Sequence, residues 1–186
     1  MAPIDREHIL ICGERHAGKS TLIARLIRES GRPVYGFVTR TDKTGEDGYH
    51  AIYMHPAAQE EKDRVSLEEN RIGRCDTVHH EIRREVFETL GVQLIRDARP
   101  DGILVMDELG FMEADCPAFT KAVLEALAGD IPVIAAVKLR YDVPFLNAVR
   151  ASSKARVYPI DERSRDALYR YLRGSVPWLS QGPVMQ

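Results

Sequence analysis

Hydrophobic and polar positions follow two registers along this chain, and the registers take turns. Four short runs, "ILIC" at 9–12, "VYGFV" at 34–38, "ILVM" at 103–106 and "VIAAV" at 133–137, are apolar at almost every position. A strand with one wet face would alternate; a continuous run fits a strand covered by helices on both faces, which favours a parallel sheet. Between the runs the period lengthens to that of a helix. One helix is predicted over Thr21 to Arg28, closed by Gly31 and Pro33, and a longer one over roughly 80–97, carrying Ile82, Val86, Leu90 and Leu94 at i+4 spacing. A third spans Pro117 to Ala128 with Phe119, Val123 and Leu127 on one face, and Asp161 caps a last helix through Leu172. Alternating strand and helix units predict the α/β class.

One region departs from the alternation. "VYGFVTR" and "YHAIYM" flank "TDKTGEDG", a polar turn with two glycines, which predicts a β-hairpin inserted into the mostly parallel sheet. The stretch over 56–71 is charged and poor in large apolar residues, so an exposed loop or mobile flap is expected. Residues 175–186 have no periodicity; they are expected as a tail outside a core domain of residues 1–174, with Trp178 able to dock it.

Composition narrows the classes of function. With 186 residues, 44% hydrophobic and 29% charged, the chain reads as one globular domain. Its 26 basic and 28 acidic residues leave a net charge of -2, so neither nucleic acid nor an anionic membrane is expected as a partner. No apolar stretch is long enough for a spanning helix, and "MAPIDREH" lacks a basic segment followed by an apolar one, so the expected compartment is the cytoplasm. Cys12, Cys75 and Cys116 lack C-x-x-C spacing and read as reduced thiols.

The chemistry begins at "GERHAGKS", residues 13–20, which fits G-x-x-x-x-G-K-[ST] between a predicted strand and a predicted helix. Gly13 lets the chain turn off the strand, and Gly18 lets the backbone approach a ligand, so that successive N–H groups and the helix N-terminus face phosphate oxygens. Lys19 reaches the β- and γ-phosphates and Ser20 offers a hydroxyl to Mg2+. In "ILVMDE" a buried strand ends in two acids, at the end of a parallel sheet where ligands bind. Asp107 is the candidate for Mg2+, directly or through water, and Glu108 the candidate base for water; an ordinary acidic turn is the alternative that the loop motif disfavours. Lys138 is either a γ-phosphate sensor or a solvated strand-end lysine. Arg15, Arg74 and Arg140 are candidates for transition-state charge. His79 and His80, adjacent at a helix start, read as a solvent-facing pair.

With both motifs placed, the chain resembles the small P-loop nucleoside-triphosphatase family first described in thermophiles, which includes the human cancer-related nucleoside-triphosphatase. The resemblance runs from about Ile9 to Leu172 and rests on "GERHAGKSTLI", "GFVTR", "IGR", "VMDELGFMEADCPAF" and "RSRDAL". It implies a three-layer α/β P-loop NTPase fold and Mg2+-dependent hydrolysis of nucleoside triphosphates with broad base tolerance. By position it assigns Gly13, Glu14, Arg15, His16, Ala17, Gly18, Lys19 and Ser20, with Thr21 beside them, to nucleotide binding. Asp107 goes to magnesium, Glu108 to water activation, and Leu109 and Gly110 to a second nucleotide-binding stretch. Arg165 matches an arginine near the base, although Ser164 stands where the family usually has asparagine; Thr41 and Glu46 depart from the family's acid and arginine in the hairpin.

Two other functions share the loop. A small-molecule or nucleotide kinase would pass the γ-phosphoryl group to an acceptor, with "KLRYDVPFLNAVR" as a short lid. A nucleotide-dependent switch would use the hairpin and residues 56–71 as its moving surface against a protein partner. The acidic pair favours hydrolysis.

Overall fold

The computed structural model describes residues 7–180; the opening "MAPIDR" and the last six residues of the tail, on which two of the expectations above partly rest, lie outside them. Eight strands form one sheet in the order β5-β4-β3-β2-β6-β7-β1-β8. Its parallel part holds β1 (His8–Gly13), β2 (Val34–Thr41), β6 (Ile103–Leu109), β7 (Val133–Lys138) and β8 (Ala155–Pro159). The antiparallel part adds β3 (His50–Pro56), β4 (Arg71–Cys75) and β5 (His80–Ile82) beyond β2.

Successive side chains of a strand point to opposite faces, and the core divides accordingly. Leu10, Leu104, Met106, Ala135 and Val137 join one cluster with Phe119 and Val123 of α4 (Pro117–Ala128) and Leu146 of α5 (Pro144–Arg150). Ile9, Ile11, Ile103, Val105 and Ala136 join the other with Leu22, Ile23 and Leu26 of α1 (Lys19–Ser30) and Leu172 of α6 (Arg165–Ser175). This is the three-layer α/β arrangement expected, and it explains the continuous apolar runs: each strand residue meets a helix whichever way it points.

Glycine is required where β2 lies against β6. Gly36 has φ 90°, and a Cβ there would lie 2.0 Å from the Val105 carbonyl oxygen, so only glycine lets β2 pair with β6 at this point.

Several expectations are corrected. The helix predicted from residue 80 begins at Arg84: α2 (Arg84–Val86), a five-residue π turn at Phe87–Gly91 and α3 (Val92–Arg96) run on from β5. The buried stripe is therefore Val86, Phe87, Val92 and Ile95, with Leu90 and Leu94 only partly covered. His80 lies on an edge strand and not a helix, with its ring 5.2 Å from that of Phe111. β4, β5 and β8 were not predicted, because edge and near-edge strands are half-buried and tolerate the arginines and proline of "RIGRC" and "ARVYP". The hairpin formed as expected, with Gly48 at φ 81° in its turn. The 56–71 stretch is exposed but structured, with 3-10 turns at Glu61–Asp63 and Glu68–Asn70. The start of the tail belongs to the core: Val176 is buried, α7 (Pro177–Ser180) buries Trp178 and Leu179 in the α1 cluster, and Trp178 Nε1 donates to the Glu7 carbonyl at 3.2 Å. Cys12 and Cys116 are buried and Cys75 is half-buried, none of them bonded to another.

Candidate functional site

The loop expected to hold phosphate leaves β1 at Gly13 and enters α1 at Lys19, at the carboxyl end of the parallel sheet. His16 and Gly18 both take left-handed backbone, with φ of 66° and 91°, the alternation that turns neighbouring amides toward one concavity. The Ala17 N–H closes the loop on the Glu14 carbonyl at 3.2 Å, and Ala17 is buried beneath it. Glu14, Arg15, His16 and Thr21 are exposed around it.

Lys19 is 6% exposed, an unusual depth for a lysine, and its ammonium is fully engaged. Nζ donates to the Gly13 and Glu14 carbonyls, both at 2.9 Å, and stands 3.0 Å from Glu108 Oε2. Glu108 Oε1 is in turn 3.4 Å from Lys138 Nζ, so the carboxylate sits between two cations. Beside this pair, Ser20 Oγ donates to Asp107 Oδ1 at 2.9 Å across 87 residues of sequence.

Two adjacent strand residues ordinarily point to opposite faces, yet both acids reach the same loop. The register of β6 against β7 shifts between Met106 and Leu109: Met106 pairs with Ala135 and Leu109 with Val137, so Asp107 and Glu108 together oppose one residue. Such a bulge re-aims side chains at the end of a strand. The Glu108 amide is held by Thr39 Oγ1 at 3.3 Å.

Burial pushes the Asp107 carboxyl up to about 6; the hydrogen bond from Ser20 opposes the rise, Glu108 adds to it, and Lys19 and Arg64 oppose it. A carboxylate in such surroundings is stabilised by a cation. The donor set at this point, one hydroxyl and one carboxylate, is all oxygen. Among the described residues no group of three or more His, Cys, Asp and Glu gathers to cage an ion. Few protein ligands, all hard oxygens, suit Mg2+, which keeps several waters and completes its shell with substrate phosphate.

The remaining candidates divide. Arg165 lies across the start of α1, its Cδ 2.8 Å from where a Gly18 Cβ would be. Leu109 is fully buried in the core, so only its backbone is available to a ligand, and the Gly110 N–H already donates to Glu113. Arg74 is committed to Glu81 at 2.7 and 2.8 Å, and Arg140 to Asp142 at 2.8 and 2.7 Å. His79 pairs with Asp76 in an exposed turn. Glu113 was missed: it is 3% exposed, and burial raises its carboxyl to about 7. Nothing in "GFMEAD" marks it, because burial belongs to the fold. A cavity of about 550 Å3 opens between the loop and the antiparallel strands, lined by Lys19, Glu108, Thr39, Ile72, Phe111 and Lys138 among others. No helix among the described residues is long and apolar enough to cross a membrane.

A loop of G-x-x-x-x-G-K-[ST] spacing between an inner parallel strand and its helix, faced by a strand ending in two acids, defines a P-loop nucleotide-binding protein. A family model described as NTPase matches residues 8–172, and the chain belongs to that family. The nucleoside-triphosphatase THEP1 of Methanothermobacter thermautotrophicus is 30% identical to it over 167 residues, covering 87% of this chain and 91% of that protein. The protein of the same name from Methanocaldococcus jannaschii is 25% identical over 172 residues, 90% and 96% of the two chains. The crystal structure of THEP1 from the hyperthermophile Aquifex aeolicus superposes with a TM-score of 0.67 at 20% identity, over 91% of this chain and 99% of that one, a likeness of fold.

Proposed function

We propose that the chain hydrolyses nucleoside triphosphates, ATP and GTP among them, to the diphosphate and inorganic phosphate with Mg2+. The observation that carries this reading is the meeting of Lys19 with Glu108 at 3.0 Å and of Ser20 with Asp107 at 2.9 Å on one phosphate loop. The naming of relatives as nucleoside-triphosphatases supports it.

Ser20 and Asp107 would hold the ion, which when bound offsets charge on the β- and γ-phosphates. Lys19, deep in the loop, meets the same phosphates. A γ-phosphate oxygen replaces Glu108 as the third partner of Lys19, which releases one side of the Glu108 carboxylate for water while Lys138 keeps the other in place. Water oxygen then bonds to the γ-phosphorus, the bond from that phosphorus to the bridging oxygen breaks toward the diphosphate, and the water proton passes through Glu108 to the phosphate released. Catalysis by this arrangement is positioning and electrostatics.

Phosphate release from a panel of nucleoside triphosphates, with and without Mg2+, tests the reaction. Lys19→Ala should abolish tight triphosphate binding. Glu108→Gln should keep binding while turnover drops by at least about a hundredfold, and turnover in that variant like that of the wild type would refute the assigned base.

A second reading uses the far side of the cavity, which runs from Gly13, Glu14, Arg15 and Lys19 of the loop across to Thr39, Thr41, His50 and Ile52 of the hairpin. A kinase would seat its acceptor there, and a strict requirement for an acceptor before diphosphate forms would favour it.

A further inference from the structure

Besides Lys19, the cavity beside the acidic pair is lined by the cations Arg15, Lys138 and Arg140. Arg140 is bound to Asp142 through two nitrogens, and Arg15 is exposed, with no hydrogen bond or ion pair among the described residues to aim it. Lys138 is placed differently. Its one ion pair among the described residues is with Glu108, the proposed base, at 3.4 Å.

The fold aims this lysine. Lys138 ends β7 opposite Gly13, where the phosphate loop begins, and β7 stands between β1 and β6, so the residue comes up between the loop and the acids. Its backbone is pinned: the carbonyl accepts from the Arg140 N–H at 3.0 Å and from Arg150 Nη1 at 3.1 Å. Its stem crosses Gly110, with Cδ, Cε and Nζ 3.2, 3.6 and 3.6 Å from where a Cβ on that glycine would be, so the missing side chain leaves the lysine its path. The ammonium ends 5.5 Å from the centre of the Phe111 ring, itself a wall of the cavity.

Lys19 Nζ and Lys138 Nζ therefore face each other across one carboxylate, 3.0 Å from Oε2 and 3.4 Å from Oε1. Phosphoryl oxygens accept from cationic donors as carboxylate oxygens do, so the place between the two ammoniums also suits a phosphoryl group. The loop lysine reaches the β- and γ-phosphates. Lys138 lies beyond it, next to the acid that would direct water at the γ-phosphorus, so the phosphate within its reach is the terminal one. It also has donors to give. Lys19 spends two N–H groups on the Gly13 and Glu14 carbonyls, whereas Lys138 Nζ reaches no carbonyl among the described residues, and one of its three donors suffices for Glu108.

Resting on the hydrolase reading, we propose that Lys138 is a catalytic residue that keeps Glu108 Oε1 with one N–H and gives another to a γ-phosphate oxygen. Base and target are then held by one ammonium, and its charge offsets the negative charge spread over the γ-phosphate oxygens in the transition state.

Calorimetry with Mg2+ and either a nucleoside diphosphate or a β,γ-methylene triphosphate analogue tests this, together with steady-state turnover and thermal unfolding. The proteins compared are wild type, Lys138→Met, Lys138→Arg, Glu108→Gln and the double variant Glu108→Gln/Lys138→Met. Methionine keeps an apolar stem over Gly110 and removes the charge. The Glu108→Gln background separates a contact with the ligand from an effect through the base, because an ammonium that served only to hold the Glu108 carboxylate has no charge left to hold there. Lys138→Met should lose roughly tenfold or more of the preference for triphosphate over diphosphate in both backgrounds, and in the wild-type background kcat should fall by about 10²–10³. Diphosphate affinity and Tm should match the parent protein, and Lys138→Arg should recover part of the loss. A preference that Lys138→Met leaves within about threefold of its parent in the Glu108→Gln background overturns the proposal and makes Lys138 a positioning residue for Glu108. So does an equal loss of affinity for both nucleotides with a lowered Tm, which would assign Lys138 to holding the strand end. A wild type that releases no phosphate from any triphosphate refutes the hydrolase reading instead, and the triphosphate preference still decides the Lys138 contact.

Discussion

Glu113 offers a test of the site's interior that needs no ligand. Its carboxyl is 3% exposed and accepts the Gly110 N–H just after the acidic pair. Burial raises it from 4.5 to about 7, against the opposing hydrogen bonds from the Gly110 and Glu113 amides and the charge of Lys138; Glu108 adds to the rise. Between those two pKa values the folded chain keeps a proton that the unfolded chain releases. Stability therefore falls as pH climbs from 4.5 to 7 and levels off above, and it is regained as pH is lowered through the same window. The full difference is on the order of 3 kcal/mol, of which roughly 2 kcal/mol lies between pH 8 and pH 5. Urea unfolding of wild type and Glu113→Gln at pH 5, 6, 7 and 8 measures it. Asp107 titrates in both proteins and cancels in their difference, while Asp76 and Asp142, held down to about 2, lose their contributions only at lower pH. The wild type should gain roughly 2 kcal/mol on the glutamine variant from pH 8 to pH 5. Parallel stability curves would refute the claim that this carboxyl is buried without adequate compensation.

Two further outcomes follow from packing. Gly36→Ala should destabilise by at least about 4 kcal/mol, because its Cβ would meet the Val105 carbonyl at 2.0 Å with φ at 90°; a change in the urea midpoint worth less than about 1 kcal/mol would contradict this. Trp178→Ala should cost about 3–5 kcal/mol, since the ring is 4% exposed in the α1 cluster and its Nε1 holds the Glu7 carbonyl; thermal unfolding like that of the wild type would mean the tail does not support the core.

The legible parts of this protein were those whose cause is local. "HILIC" and "VIAAV" announced strands covered on both sides, and "GERHAGKS" placed a turn, a lysine and a helix start within eight residues. The illegible parts depended on neighbours far along the chain. β8 is a strand because β1 pairs with it, and "ARVYP" has no strong pattern of its own, since an edge position buries little of it. The π turn moved the buried face of the helix after β5, which i+4 counting does not register.

The sequence alone determined the class: covered strands alternating with helices, a loop of the right spacing and a paired acid at the end of one apolar run. It named Lys19, Ser20, Asp107 and Glu108, but it did not arrange them. Strand order brings Ser20 to Asp107 across 87 residues, a shifted register turns both acids the same way, and β7, standing between β1 and β6, sets Lys138 against Glu108. The raised carboxyl of Glu113 arises only on packing. Charge and burial at a point in space are sums over every element that reaches it, and no single stretch of chain contains that sum.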